Sequence, residues 1–521
     1  MVQTKHKLTY NDDGSFRIMT LADAHMNLEA GAEKIQDLKD RIKLLVDKVK
    51  PSLIIFTGDN TMYSGSEEKL RANIDVLVSY IEEKQIPWCH VYGNHDHEHA
   101  ISKPEQQKIF ESYEYCVSKT GQDIAGTGNY ALGIYNRDGS LGSVVYCIDS
   151  GSYDHVNGGY DYIKDDQIEW YRSTSEKLKE NNGGKAVPGI MAFHIPLREN
   201  IDAHNSRDNS ELVYEMTGNN NEGVCASKTH TKLFEVALNQ GDIKAIVTGH
   251  DHVNDYMYNY RGIKLCAAPN VGDLTYTNIA FQGSRVFDMN LETIDNIKTR
   301  VEYVIERVDG SDKDDIGANK VLFDGTEAPN TVIEGYDSAS YNGSVDINVS
   351  DGKGAGSNSA YEITRSQSGN FEINFMLDSD SYGKVGENQY LVAWMDLTGV
   401  DFRKSCFGIL STGTTTPPLR TDDNDGTNPK YYYLPDGKTE WVEREHGGDG
   451  CFGYAENSSV NGMKGYFAFK ISDFKSGGVR ADAKTLVTGV YFYGDIGDDK
   501  YANVPFYIDN IQLTTDLDSV Q

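Results

Sequence analysis

Phe16-Arg17-Ile18-Met19-Thr20-Leu21-Ala22-Asp23-Ala24-His25 reads as a short apolar strand that runs into an acid and an imidazole. Outward from it, Ile35, Leu38, Ile42, Leu45 and Val49 recur at helical spacing. Ser52-Leu53-Ile54-Ile55-Phe56-Thr57 is a brief apolar run suited to a strand buried on both faces. Leu70, Ile74, Leu77 and Ile81 predict a second helix, and Trp88-Cys89-His90-Val91-Tyr92 is again strand-like. Strands at 143–149, 186–193 and 245–248 and helices near 164–180 and 227–239 continue the plan. Such alternation predicts α/β architecture through about residue 300.

From about residue 315 the helical periods vanish. Phe371 to Leu377, Gln389 to Met395, Tyr466 to Ile471, Leu486 to Tyr493 and Val504 to Leu513 are β-branched and aromatic runs. Gly, Asn, Asp and Ser punctuate them, which predicts a β-sandwich or jelly roll. The polar link Asp309-Gly310-Ser311-Asp312-Lys313-Asp314-Asp315 is the expected boundary, giving domains at 1–312 and 313–521. A chain of 521 residues is long enough for two such cores.

The 49 Lys and Arg against 79 Asp and Glu leave a net charge of −30. That surface repels polynucleotides and anionic lipid, so nucleic acid is not an expected partner and a nuclease is disfavoured. Seven cysteines, never spaced C-x-x-C, argue against a disulfide framework or a zinc ribbon. No apolar run is long enough to span a membrane, and Met1-Val2-Gln3-Thr4 opens no signal peptide.

Five segments at strand ends hold the chemistry. They are Asp23-Ala24-His25, Gly58-Asp59-Asn60, Gly93-Asn94-His95-Asp96, Phe193-His194 and Gly249-His250-Asp251-His252. The carboxyl ends of strands in an open sheet are where ligand sites form. Carboxylate, amide oxygen and imidazole together suit divalent Mn, Fe or Zn.

This ordered set of D-x-H, G-D, G-N-H-D, H and G-H-x-H resembles the calcineurin-like metallophosphoesterase superfamily. The strings Phe193-His194-Ile195-Pro196-Leu197 and Gly249-His250-Asp251-His252-Val253-Asn254-Asp255 resemble a branch related to purple acid phosphatases. The resemblance implies a four-layer α/β domain, two β-sheets flanked by helices. It implies one divalent ion on Asp23, His25, Asp59 and His252, and another on Asp59, Asn94, His194 and His250, with Asp59 bridging. It further implies hydrolysis of a phosphomonoester or phosphodiester by a metal-bridging hydroxide. Asn94 and His95 would contact the phosphate, and His95 would protonate the leaving oxygen. Asp96 would either orient His95 or cap the next helix. Arg198 is a candidate phosphate clamp, with a plain surface arginine as its alternative. Asp251 is expected behind the ligands, and His97 and His99 behind the site or in solvent. Met62 stands where purple enzymes carry their tyrosine, so no iron–tyrosinate band is expected. Residues 199–226 read as a long polar connection, either a binding lid or a mobile loop.

In the second half, Val504 to Leu513 resembles the closing strand of galactose-binding-like jelly rolls, a group containing many bacterial carbohydrate-binding modules. That implies a glycan partner and makes Asp509 a candidate for a structural Ca²⁺, against the plainer reading of an acid that ends a β-ladder. Tyr431-Tyr432-Tyr433, Trp394, Trp441, Tyr491, Phe492 and Tyr493 either stack on sugar or fill the sandwich. A glycan anchor would put the protein outside a bacterial cell or on its surface. The rival reading is a glycan-binding surface protein whose phosphoesterase domain is only a scaffold.

Overall fold

Strand Ser15–Leu21 pairs in parallel with Leu53–Phe56, which pairs in parallel with Trp88–His90. Side chains alternate between the two faces. Ile18, Leu53 and Ile55 turn to one face, and Met19, Leu21, Ile54 and Phe56 to the other. Both faces are apolar because both are covered. Helices Ala32–Val49 and Glu67–Glu83 lie on the second face through Leu38, Ile42, Leu45, Leu70, Ile74 and Leu77. Ser66 caps the second helix by accepting from the Lys69 N–H. Lys50, in the left-handed region, ends the first. Gly283–Asn290 and Lys298–Tyr303, which the sequence pattern did not mark, extend this sheet antiparallel.

The first face meets a second sheet. Its strands run in the order Leu8–Thr9, Tyr130–Tyr135, Leu141–Cys147, Gly189–Ala192, Ile243–Thr248, Ile263–Ala267, Met257–Tyr260 and Val213–Thr217. Leu132, Val145, Ile190, Ala192, Ala245 and Val247 fill the space between the sheets, with Cys147 and Cys266 among them. Val144, Tyr146, Met191 and Ile246 point outward onto helices Asp165–Asn181 and Leu233–Gln240. The unit is therefore four layers, helix on sheet on sheet on helix. It spans Met1–Ile305.

Residues 4–520 are described by this computed structural model, apart from 278–280, 306–312, 335–343, 413–417, 422–429, 446–459 and 477–478. Residues 309–312 of the expected link thus lie outside the described residues. The stretch 199–226 is neither wholly lid nor loop. It carries most of helix Arg198–Asn205 and the strand Val213–Thr217, because pairing with Met257–Tyr260 overrides its polar composition.

The second unit, Glu306–Gln521, is built on two large antiparallel sheets face to face, with a small two-stranded pair, Gly383–Lys384 and Leu486–Val487, beside them among the described residues. Phe506–Thr514 lies between Ala360–Arg365 and Tyr390–Asp396 in one; Gly489–Ile496 lies between Gly369–Met376 and Phe402–Leu410 in the other. Ile508 and Ile511 both face the core although three residues apart. Asn510, at φ 48°, and a register shift against Tyr390–Asp396 form the bulge that allows it. Tyr431 and Phe492 are buried between the sheets and fill the sandwich; Trp394, Tyr491 and Tyr493 are buried on its outer faces, and Tyr432 and Trp441 are half-buried. No helix among the described residues is long and apolar enough to cross a membrane.

Candidate metal centre

Pairing register brings the chemistry to one rim. Leu21, Phe56 and His90 are level in the first sheet, and Cys147, Ala192 and Val247 in the second. Asp23, Asp59 and Asn94 therefore leave the first sheet at one end, and His194, His250 and His252 leave the second. Asp23, His25, Asp59 and His250 have φ of 50°, 44°, 49° and 78°, a left-handed backbone that non-glycine residues adopt at a cost of about 1–3 kcal/mol each. A Cβ on Gly58 would strike the His194 ring, and one on Gly93 the Asp59 carboxylate. Glycine at those two places is what lets the ligand side chains pass.

The candidates fall into two buried groups. In Asp23, His25 and His252, and again in Asp59, His194 and His250, one ligand atom from each residue lies within 4.8 Å of the others. His194 Nε2 is 3.2 Å from Asp59 Oδ2, 3.1 Å from Asn94 Oδ1 and 3.2 Å from His250 Nδ1. His252 Nε2 is 3.5 Å from Asp23 Oδ1, and His25 Nε2 is 3.9 Å from Asp59 Oδ2, which ties the groups together. Nδ1 of His194 donates to the Thr57 carbonyl at 2.9 Å, and Nδ1 of His252 to the Tyr276 carbonyl at 2.8 Å. Those bonds select the tautomer that turns Nε2 inward, as ligating histidines require.

Asp23 Oδ1, both His25 nitrogens and His250 Nε2 are buried with no hydrogen-bond partner. Buried polar atoms are rarely left so. Two buried clusters of carboxylate and imidazole, with several polar atoms left without partners, fit cations, and this mixture of donor atoms fits divalent Mn, Fe or Zn. Burial pushes His25 down to about 4, and burial with the neighbouring His194 charge pushes His250 down to about 3, so both are neutral at pH 7. Burial alone would raise Asp59, but the charge of His194 and its hydrogen bond outweigh it and hold it well below the usual carboxylate range. Burial likewise opposes a proton on His194, yet the Asp59 carboxylate wins and lifts that imidazole to about 9.

Asp96 does neither of the things expected of it. It accepts from the Gly93 N–H at 2.8 Å and from the Asn60 amide at 3.0 Å, bracing the two ligand loops, while Ser102 stands at the N-cap of helix Lys103–Ser112. Burial and the Asp59 charge push its carboxyl up to about 7. His95 instead faces Glu98, with Nδ1 3.0 Å from Oε2. Arg198 is half-buried at the start of its helix beside Ser150, Asp161 and Ser227, with no ion pair among the described residues. Asp251 lies behind the ligands, accepting from the Cys225 N–H at 3.1 Å and from Asn254 at 3.2 Å. His99 is buried between Thr61 and Ser64, and His97 is exposed.

Four neighbours were not singled out from sequence. The Tyr160 ring stands edge-on 4.2 Å from His250, and Tyr276 lies flat on His252 at 4.3 Å. Tyr153 bonds both Asn94 and Glu98. Of these only Glu98 had a readable signal, its three-residue spacing from His95.

A four-layer α/β unit with two candidate metal-binding groups at its strand ends fits the architecture of the metallophosphoesterases. Residues 16–254 match the family described as calcineurin-like phosphoesterase, and the chain belongs to that family. It is 30% identical over 302 residues to "Probable inactive purple acid phosphatase 29" of Arabidopsis thaliana, covering 52% of this chain and 76% of the relative. It is 28% identical over 275 residues to "Phosphatase DCR2" of Saccharomyces cerevisiae, spanning 48% of this chain and 46% of that one. Among solved structures, a dimetal phosphatase of Danio rerio overlays 55% of this chain and 98% of its own at TM-score 0.35 and 12% identity. A family 11 carbohydrate-binding module of Clostridium thermocellum overlays 38% of this chain and 94% of its own at TM-score 0.21 and 10% identity.

Proposed function

We propose that the first unit hydrolyses phosphate esters, mono- or diesters, with two divalent cations of the Mn, Fe or Zn kind. The observation that carries this reading is the pair of buried carboxylate–imidazole clusters, in which polar atoms of Asp23, His25 and His250 have no hydrogen-bond partner. Asp23, His25 and His252 would hold one cation and Asn94, His194 and His250 the other, with Asp59 shared. Bound there, the pair supplies Lewis acidity toward phosphoryl oxygens and a water acidic enough to attack near neutral pH.

The chain's own residues do the rest. Thr57 and Tyr276 lock two imidazoles in place, so little reorganises when charge develops. Asp96 holds the Gly93 and Asn60 loops together, keeping Asn94 and Asp59 in register. His95 is 40% exposed and its ring centre lies 5.5 Å from that of His25, so it stands where a leaving oxygen can take its proton.

For the second unit we propose glycan binding and, with it, a place outside a bacterial cell or on its surface; the half-buried Tyr432 and Trp441 rings are its support. Retention on insoluble polysaccharide in affinity electrophoresis tests that half. The first half is tested with p-nitrophenyl phosphate and bis-p-nitrophenyl phosphate under Mn²⁺, Zn²⁺ and EDTA. Metal-dependent turnover of either ester is expected. Turnover of neither under any metal would leave the domain as a scaffold.

A further inference from the structure

One hydrogen-bonded chain at the mouth of the site is not used by the reading above. Glu98 Oε2 receives His95 Nδ1 at 3.0 Å, and its other oxygen accepts from the Tyr153 hydroxyl at 3.1 Å. That hydroxyl in turn accepts from Asn94 Nδ2 at 3.1 Å. The direction of every link is settled by Glu98, because an ionised carboxylate can only accept. Tyr153 must then donate to Glu98, which leaves its oxygen to accept, and only the Nδ2 end of Asn94 can donate to it. The Oδ1 end of Asn94 is thereby turned to His194 Nε2, 3.1 Å away.

We infer that Glu98 is the positioning residue of this centre, holding His95 directly and Asn94 through Tyr153. The inference rests on the phosphoesterase reading and adds to it the residue that aims its proton donor. Local structure explains the arrangement. His95–His97 is a turn of 3-10 helix, and in a 3-10 helix residues three apart eclipse, so Glu98 stands directly over His95. The His95 N–H donates to Asp59 Oδ1 at 2.8 Å, which fixes the backbone under the ring. With Nδ1 committed to Glu98, Nε2 is the nitrogen that faces substrate. As the P–O bond to the leaving group breaks, its electron pair goes to the leaving oxygen, which takes the Nε2 proton. Water supplies the oxygen of the new P–O bond and gives one proton to solvent, from which His95 regains its own.

Both partners are about two-fifths exposed, at 40% and 42%, so the pair adds little to stability. That separates positioning from folding. The experiment compares 2,4-dinitrophenyl, p-nitrophenyl and phenyl phosphate as substrates for wild type, Glu98→Ala, His95→Ala and the double variant. Phenolate needs the proton and dinitrophenolate does not. Glu98→Ala is therefore expected to lower kcat on phenyl phosphate by about 10²-fold and on the dinitrophenyl ester by less than about threefold. With Mn²⁺ saturating, so that any slackening of Asn94 is masked, Glu98→Ala in the His95→Ala background should cost nothing further. Tyr153→Phe should weaken Mn²⁺ binding several-fold by freeing Asn94, read by calorimetry without turnover. Equal loss on all three esters, or loss that adds to that of His95→Ala, overturns the inference while leaving the phosphoesterase reading intact. Wild-type protein that hydrolyses none of the esters overturns both.

Discussion

The two units use strained backbone in opposite ways. In the first, left-handed φ falls on Asp23, His25, Asp59 and His250, four side chains that converge on one pocket. In the second, the non-glycine residues with such φ among the described residues are Asn319, Asn503 and Asn510, all of the type that tolerates it best. Elsewhere in the first unit Lys50, Gln85 and Arg261 adopt it singly. Strain gathered on acids and imidazoles is strain the surrounding fold must hold, and it marks a place built to bind rather than to turn. Strain on a lone asparagine marks a bulge.

Substitution at the pocket and substitution in the sandwich core should therefore separate activity from stability. Asp59→Asn removes the carboxylate shared by both groups and should lower phosphate-ester turnover by about 10³-fold or more, with loss of bound metal by mass spectrometry. Phe492→Ala, in the buried core of the second unit, should cost about 3–5 kcal/mol in that unit's denaturation and leave kcat at 25 °C unchanged. If Phe492→Ala abolished turnover, the contrast between the units would fail. Gly93→Ala sharpens it further, because the new methyl overlaps the Asp59 carboxylate. An overpacking cost of about 1–3 kcal/mol and reduced metal affinity are expected together, the first by melting and the second by calorimetry.

Protonation offers a subtler test. His194 is held at about 9, above its ordinary 6.5, by Asp59. In metal-free protein that pair stabilises the fold below about pH 6.5 and loses its contribution as pH rises through about 9. A cation must displace that proton. Mn²⁺ binding at pH 7.5 should release close to one proton per protein, read from calorimetry in buffers of differing ionisation enthalpy. Release of none would mean His194 is already neutral.

The smallest effect is expected at Asp509. Its carboxylate accepts from the Ala355 N–H at 2.9 Å and the Asn510 N–H at 2.6 Å, and no group of three metal-binding side chains includes it among the described residues. Asp509 lies within strand Phe506–Thr514 rather than at the end of a ladder, and if its carboxylate serves only to hold those two backbone groups, Ca²⁺ should raise the melting temperature by less than about 1 °C. Burial lifts this carboxyl to about 6, so its stabilising share is full below about pH 4 and is lost as pH rises through 6. Asp509→Asn should flatten that fall.

Much of this was written in the chain order. Apolar runs buried on two faces, Leu53–Phe56 and Ile243–Thr248, are legible because covering both faces of a strand demands continuous apolar sequence. The ligand candidates are legible because each follows such a run, and a strand's end is where the chain leaves the sheet. Gly283–Asn290 and Lys298–Tyr303 escaped because their alternation is mixed with charge, and pairing decides them, the first on Ser15–Leu21 and the second on Gly283–Asn290. Asp96 was misread for a related reason: adjacency to His95 in sequence says nothing about direction, and its carboxylate turns back to Gly93 and Asn60.

What the amino-acid order alone determined was the kind of layers, the kinds of ligand atom and the rim on which they gather, since periodicity and residue chemistry act locally. Only the tertiary structure decided which nitrogen of His194 and His252 faces inward, that Glu98 rather than Asp96 holds His95, and that Tyr153, Tyr160 and Tyr276 line the mouth. Apart from the three-residue step from His95 to Glu98, those depend on hydrogen bonds and ring contacts between residues tens to more than a hundred positions apart, such as His194 to Thr57 and Tyr153 to Asn94, and no local pattern in a chain encodes a partner that distant.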